Sequence, residues 1–320
     1  MDFELDDDER ALQEGIRTFC SGRFPMEQVR SLEGKAGVDR DRWRELADTG
    51  VFSLRLPEED GGVGLGTTEA VLVFEELGRA CVPGPLIGSH LGAALVDGAA
   101  AGDTVVGSAD RREVPQLVEH LDALDRLVVL DDDGLWSVDP ASIEGEAVSR
   151  PLDPLTPLHL VASLPQGEQI GDAAVADTWR REGAVLAAAM LLGVAQATVE
   201  LAADYAKERE QFGRPIGAFQ AVKHLCADML TRAEVARSAV YAAGVTLDDP
   251  SVGDPDRAAS AAKVVAGEAA VDNGKACIQV HGGMGFTWEV DAHLYFKRAR
   301  VLDTAFGSRD AHSDRVARTL

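Results

Sequence analysis

Along the first hundred residues, apolar side chains recur every three or four positions in "ERALQEGIRTFC", "DRWRELADTGVF" and "TTEAVLVFEELGRAC". That period places them on one face of a helix with the charged residues on the other, which predicts helices packed on one another. Between the second and third of these stretches, "LPEEDGGVGLG" carries Pro57, Gly61, Gly62, Gly64 and Gly66, a composition that only a loop or tight turn uses. A further small-residue run, "PGPLIGSHLGAALVDGAAAG", predicts another helix that ends in a Gly-rich link.

From about residue 103 the pattern changes to short apolar runs bounded by turn residues: "DTVVGSA", "RLVVLDDDG", "LWSVDP" and "HLVASLP". These predict strands. The acidic "DDDG" falls between two apolar runs, where a hairpin turn belongs, so it reads as turn chemistry rather than a metal site.

Past residue 175 the helical period returns in long blocks. "TWRREGAVLAAAMLLGVAQATVELAADYAKERE", "AFQAVKHLCADMLTRAEVARSAVYAAGVTL" and "DPDRAASAAKVVAGEAAVDNGKACIQVHGG" each predict one long helix, and a fourth starts near "WEVDAHLYFKRARVLD". Long helices with short links imply a four-helix bundle. The expected fold is therefore mainly α with a small β middle domain: a helical N-terminal domain over 1–102, a reduced β domain over 103–175 and the bundle over 176–320.

Charge narrows the partners. With 31 Lys+Arg against 54 Asp+Glu, the chain carries a formal charge of -23 and repels nucleic acid and anionic membrane surfaces. Cys20, Cys81, Cys226 and Cys277 are scattered without metal-ligand spacing and read as reduced packing residues. The N-terminus "MDFELDDDER" is acidic where a signal peptide is basic, and no apolar run is expected to approach the roughly 18 residues of a membrane span. A cytoplasmic protein is expected.

Two stretches at connections of the bundle carry chemistry: "REQFGRPIGAFQ" and "IQVHGGMGFTWE". Arg209 and Arg214 can each fork onto a phosphate, Gln211 and Gln279 can pair with an amide-like ring edge, and Phe212 offers a flat face to an aromatic base. Gly213 helps turn the first stretch, and Gly282, Gly283 and Gly285 let a ligand approach the backbone of the second. Together they suit a dinucleotide. The same residues also fit helix capping, ion pairs with Glu208 or Glu210, and plain turns, so residue chemistry leaves both readings open.

Taken with the helical first third, the "LPEEDGGVGLG" loop and the β middle, "REQFGRPIGAFQAVKHLCADM" and "IQVHGGMGFTWE" resemble the acyl-CoA dehydrogenase family over nearly the whole chain. The resemblance implies FAD at a subunit interface. It places the family's interface contacts on Arg209, Gln211, Phe212 and Gly213 and on Gln279, Gly282 and Gly283, reaching across to a flavin held mainly by the neighbouring subunit.

Two departures matter. Members that hold their own flavin carry a Thr-Glu-Pro stretch followed by a Gly-Ser-Asp turn in the β domain, and "SRPLDPLTPLH" has neither the carboxylate after Thr nor that turn. The second departure concerns the base. Dehydrogenation of a thioester needs a carboxylate to take the α-proton. One usual position, in "DTAFGSRDAHSD", holds Phe306; the other, counted back from Gly193 and Gln196, falls on Gly183. Glu182 is one residue off, a step of about 100° around a helix. Glu268 and Glu289 read as solvated or capping groups, and His281 and His293 as structural. No catalytic residue is assigned.

A chain that lacks its own flavin cradle and base, yet retains residues for a neighbour's flavin, is similar to the base-lacking β-type subunit of the actinobacterial α2β2 dehydrogenases that act on bulky, steroid-type acyl-CoA. The implied partner is a second acyl-CoA dehydrogenase subunit that supplies the catalytic Glu and shares FAD, with an acyl-CoA substrate and an electron acceptor. The competing expectations are a self-sufficient homotetramer using Glu182 and a flavin-free scaffold.

Overall fold

The computed structural model describes residues 5–35 and 37–319. Five helices lead: α1 (Asp7–Arg23), α2 (Met26–Arg30), α3 (Arg40–Asp48), α4 (Thr67–Arg79) and α5 (Leu86–Gly92). Local chemistry starts α1, because the Asp6 carboxylate accepts from the Glu9 N–H at 2.8 Å while the Glu9 side chain reaches back to the Asp6 N–H at 2.8 Å. The small-residue run after Pro85 makes a shorter helix than its composition suggests: α5 stops at Gly92 and turns follow.

Seven strands come next: β1 (Val106–Asp110), β2 (Gln116–Glu119), β3 (Arg126–Leu130), β4 (Gly134–Val138), β5 (Gly145–Ala147), β6 (Leu158–Val161) and β7 (Glu168–Asp172). They form a four-stranded sheet in the order β1-β3-β4-β7 and a three-stranded sheet in the order β2-β6-β5. The acidic "DDDG" is the β3–β4 turn, with Leu130 opposite Leu135 and the Asp131 N–H donating to the Gly134 carbonyl at 2.9 Å.

The C-terminal part contains α6 (Ala173–Glu208), the short ribbon β8 (Glu210–Gln211) and β9 (Arg214–Pro215), then α7 (Gln220–Asp248), α8 (Pro255–His281), α9 (Ala292–Leu302) and α10 (Arg309–Arg318). Side chains such as Leu186, Leu191 and Val194 of α6 are fully buried, each stabilising the fold by about 2 kcal/mol. Glycines let α4 and α6 touch: a Cβ on Gly193 would overlap the Glu75 carbonyl, and one on Gly78 the Met190 carbonyl. The core is therefore continuous from the N-terminal helices into the bundle.

The fourth long stretch ends within "RVLD": α9 stops at Leu302 and a final helix, α10, begins at Arg309, with Phe306 (φ +55°) and Gly307 (φ +104°) in the turn between them. One expectation needs correction. The sequence is not free of long apolar runs. An 18-residue window in α6 has mean hydropathy 1.8, enough by length and composition to cross a membrane, yet 83% of it is buried inside the protein. Ala-rich surfaces packed on other helices explain that run.

Candidate functional site

The C-terminal end of α6 carries the first stretch. Arg209 ends the helix, its N–H donating to the Tyr205 carbonyl at 2.8 Å, and the Ile216 N–H closes the ribbon onto the Arg209 carbonyl at 2.7 Å. Phe212 (φ +55°) and Gly213 (φ +77°) form the two-residue turn of the ribbon, both left-handed, as a turn matched to the twist of paired strands requires. For phenylalanine that conformation costs about 1 kcal/mol, and the ring is 92% exposed. An aromatic residue that is both strained and wet points to a role outside the fold of the isolated chain.

Around it the side chains are available. Arg209 is exposed and has no ion-pair partner among the described residues, although the chain is strongly acidic. Gln211 is exposed, donating to the Glu210 carbonyl at 2.8 Å. Arg214 lies with its guanidinium 4.2 Å from the centre of the Phe219 ring, so it is oriented by stacking rather than by a carboxylate.

The second stretch caps α8. Gln279 is exposed, and the Gly282 N–H donates to its carbonyl. Gly282 takes φ +59°, and a Cβ added at Gly282 or Gly283 would meet nothing within 4 Å, so both face open surface. Gly285 differs from the sequence reading: it is buried, and a Cβ there would crowd the Ile278 carbonyl, so its role is packing. Phe286 and Trp288 stand 84% and 58% exposed beside it.

Tyr205 joins the two stretches. The His281 ring stacks on the Tyr205 ring at 4.2 Å between centroids, and Tyr205 is the residue whose carbonyl caps Arg209. His281 is buried, with Nδ1 2.8 Å from the Cys277 carbonyl, which is a structural role. His293 packs edge-on against Trp288, and burial first, then Lys297 and Arg30, lowers its pKa to about 4.

Elsewhere, the structure brings together Gly183 and Phe306, the two positions where the resemblance leads one to expect a base. A Cβ on Gly183 of α6 would overlap the Phe306 ring. The loop that carries Phe306 is pinned from several sides. Lys263 is fully buried and donates through Nζ to the Asp303 and Gly307 carbonyls at 3.0 and 3.2 Å. His312 sits 3.0 Å through Nε2 from the Phe306 carbonyl and 3.2 Å through Nδ1 from Ser260 Oγ, which makes Nε2 the protonated nitrogen. Burial and then Asp110 push the Glu113 carboxyl above its usual range, opposed by the Gly307 backbone and Lys263. Burial lowers Lys263 to about 8, opposed by Asp303 and Glu113, and lowers His312 to about 4.

The other carboxylates singled out in the sequence do not approach Phe306. Glu182 forms a two-pronged ion pair with Arg55 at 2.7 and 2.9 Å. Glu268 and Glu289 are exposed. What sequence reasoning missed is Glu119, the last residue of β2, which lines two cavities that Phe306 also lines, of about 680 and 60 Å³. The strand alternation that buries Val118 could have shown that Glu119 faces the other side, but nothing in the pattern says that a cavity lies there.

Comparison with known proteins identifies the scaffold. The descriptions "Acyl-CoA dehydrogenase, N-terminal domain" and "Acyl-CoA dehydrogenase, C-terminal domain" match residues 6–100 and 175–320. The chain belongs to the acyl-CoA dehydrogenase family. It is similar to the acyl-CoA dehydrogenase IpdE2 of Mycobacterium tuberculosis, 35% identical over 92% of this chain and 91% of that protein. Acyl-CoA dehydrogenase FadE34 of the same organism is 36% identical over 91% of this chain, which spans 44% of FadE34's length. Among solved structures, the Tcur3481-Tcur3483 steroid ACAD superposes with a TM-score of 0.84 at 25% identity, covering 98% of this chain and 97% of that one. Residues 101–174, which hold strands β1 to β7, lie between the two matched spans of this acyl-CoA dehydrogenase.

Proposed function

We propose that this acyl-CoA dehydrogenase works as one subunit of a heteromeric, cytoplasmic enzyme that introduces an α,β double bond into a bulky acyl-CoA. On this reading a second acyl-CoA dehydrogenase subunit supplies the base and holds most of the FAD. The observation that carries the reading is the Phe306–Gly183 contact. The Phe306 ring fills the space beside Gly183, and neither residue carries a group that can accept a proton.

FAD fits the exposed edge of this chain. Arg209 is a free guanidinium for the pyrophosphate, Phe212 a free ring, and Gln279, Gly282 and Gly283 an open surface that side chains do not block. A flavin supplies hydride acceptance when bound. This chain's part is to neutralise and seat its phosphates from across the interface, and to supply no proton acceptor of its own at residue 306.

The name of the Tcur3481-Tcur3483 steroid ACAD joins two chains and a steroid substrate class, which supports both a partner and a bulky acyl group here. The test is the visible spectrum and native mass of the purified chain, alone and co-expressed with the neighbouring dehydrogenase gene. A colourless chain that becomes a yellow heterotetramer with fewer flavins than subunits agrees with the proposal. A yellow, active homotetramer overturns it.

A further inference from the structure

Two polar groups near Phe306 have no partner for their free atoms. Arg298 of α9 is 4% exposed; it donates through Nε to Asp153 at 2.6 Å and through Nη1 to the Val82 carbonyl at 2.9 Å. Its Nη2 is buried without a hydrogen bond, a state that costs about 1–3 kcal/mol. Glu119 is half-buried, and its carboxyl makes no hydrogen bond or ion pair among the described residues. Both residues line the same 60 Å³ cavity. Glu119 also lines the 680 Å³ cavity, whose apolar walls include Val114, Leu117, Leu152, Leu158 and Val301. Val114 is 89% exposed and Leu152 54%, apolar surface left open at the mouth.

A small polar end on a large apolar space describes a ligand. The narrow cavity is big enough for about two waters or one terminal oxygen, and the wide one takes a hydrocarbon body. We propose that this cleft binds an apolar molecule ending in a carbonyl oxygen, with the oxygen seated between Arg298 and Glu119. The guanidinium supplies one N–H, and the carboxyl supplies an O–H when protonated, so two donors serve the two lone pairs of one carbonyl.

Electrostatics agrees with a neutral carboxyl. Burial raises Glu119 to about 7; Arg298 opposes the shift, while Glu113 and Asp153 add to it. Asp153 is already committed to Arg298 and Thr156. His120, next in the chain, lines the small cavity, and Asp110, Arg112, Arg180, Arg300 and Arg315 line the wide one.

The proposal stands apart from the heteromeric reading: a flavin-free chain can bind such a ligand, and a flavin-sharing chain can fail to. The probe is 2-decalone, a rigid bicyclic ketone, titrated calorimetrically into the full chain, or into the partner complex if the chain is purified that way. Affinity is expected to fall about 3- to 10-fold between about pH 6 and about pH 8.5, the worth of one hydrogen bond. Glu119→Gln, whose amide donates at every pH, should keep the lower-pH affinity and lose the pH dependence. Glu119→Leu should lose about 3- to 10-fold at the lower pH. The proposal is overturned by no saturable binding, by a flat wild-type profile, or by a Glu119→Gln profile that slopes like the wild type. The wild-type slope decides the matter even if the leucine variant does not fold.

Discussion

The Phe306 ring occupies the space that a side chain on Gly183 would need. Residues 123 positions apart are thereby coupled, since 306 − 183 = 123, and each explains the other: the glycine makes room for the ring, and the ring fills what the glycine leaves. Gly183→Ala should therefore destabilise the chain by about 1–3 kcal/mol, the range for overpacking. In a Phe306→Ala background the same change should cost less than half as much, a coupling that a double-mutant cycle in urea reads directly. Equal costs in both backgrounds contradict the contact.

Restoring a carboxylate tests the other half of that relationship. Phe306→Glu puts a base where the ring stands, beside a cleft whose walls already carry Glu113 and Glu119. No dehydrogenase activity is expected from the variant chain alone, because a base without a seated flavin cannot complete the reaction. Measurable turnover by the isolated variant would show that this chain holds FAD in its own cleft.

On the proposed function, Arg209 meets the pyrophosphate of a partner's flavin. Arg209→Ala should weaken FAD retention in the assembled complex by about 1.5–3 kcal/mol, the worth of a charge-assisted hydrogen bond, while the chain's own unfolding midpoint stays put. Arg209 has no ion pair within the described residues whose loss could mimic the effect. Unchanged flavin content after dialysis contradicts the assignment.

Much of this was legible in the residues, for physical reasons. Helices such as α1 and α4 carry strong 3.6-residue apolar periodicity, and the ribbon turn is written as Phe212-Gly213, with glycine where a left-handed residue is cheapest. The left-handed conformation of Phe306 was not legible, because the turn that carries it is held by Lys263 and His312 from other helices. Glu119 and Arg298 were hidden for a similar reason. Their meeting at one cavity depends on how the β2 end packs against α9, and no local pattern encodes that.

Phe212 should show a trade between stability and assembly. Phe212→Asn creates the Asn-Gly pair that two-residue turns prefer and removes an exposed ring, so the isolated chain should gain about 0.5–1 kcal/mol. The same change should lower flavin retention in the complex. A variant that is less stable, or equally good at retaining flavin, removes the argument that the strained ring is kept for an external contact.

Acid should unfold the protein partly through two buried histidines. His90, with Nδ1 2.8 Å from the Val51 carbonyl, and His312 are each lowered to about 4, chiefly by burial. Their folded pKa lies below the unfolded value of about 6.5, so the unfolded chain binds more protons between those limits. The stability they contribute is complete above about pH 6.5 and is lost as pH falls toward 4. Urea midpoints should drop across that window, and His312→Gln, which retains an N–H for the Phe306 carbonyl, should flatten the drop. A slope identical to the wild type assigns the acid sensitivity to other groups.

Glu182 separates the heteromeric reading from a self-sufficient enzyme. It stands next to Gly183, yet its carboxylate is held by both ends of the Arg55 guanidinium, and its side chain is 15% exposed. A base must release its partner to reach a substrate proton, and separating this pair would cost about 1.5–3 kcal/mol before any chemistry began. Glu182→Gln should accordingly lower stability by about 1–2 kcal/mol and leave kcat of the assembled enzyme unchanged. Arg55→Met should produce the same stability loss, since the two residues act as one pair. Should Glu182→Gln abolish turnover while Arg55→Met raises it, the carboxylate is a base restrained by its arginine, and the protein needs no partner to supply one.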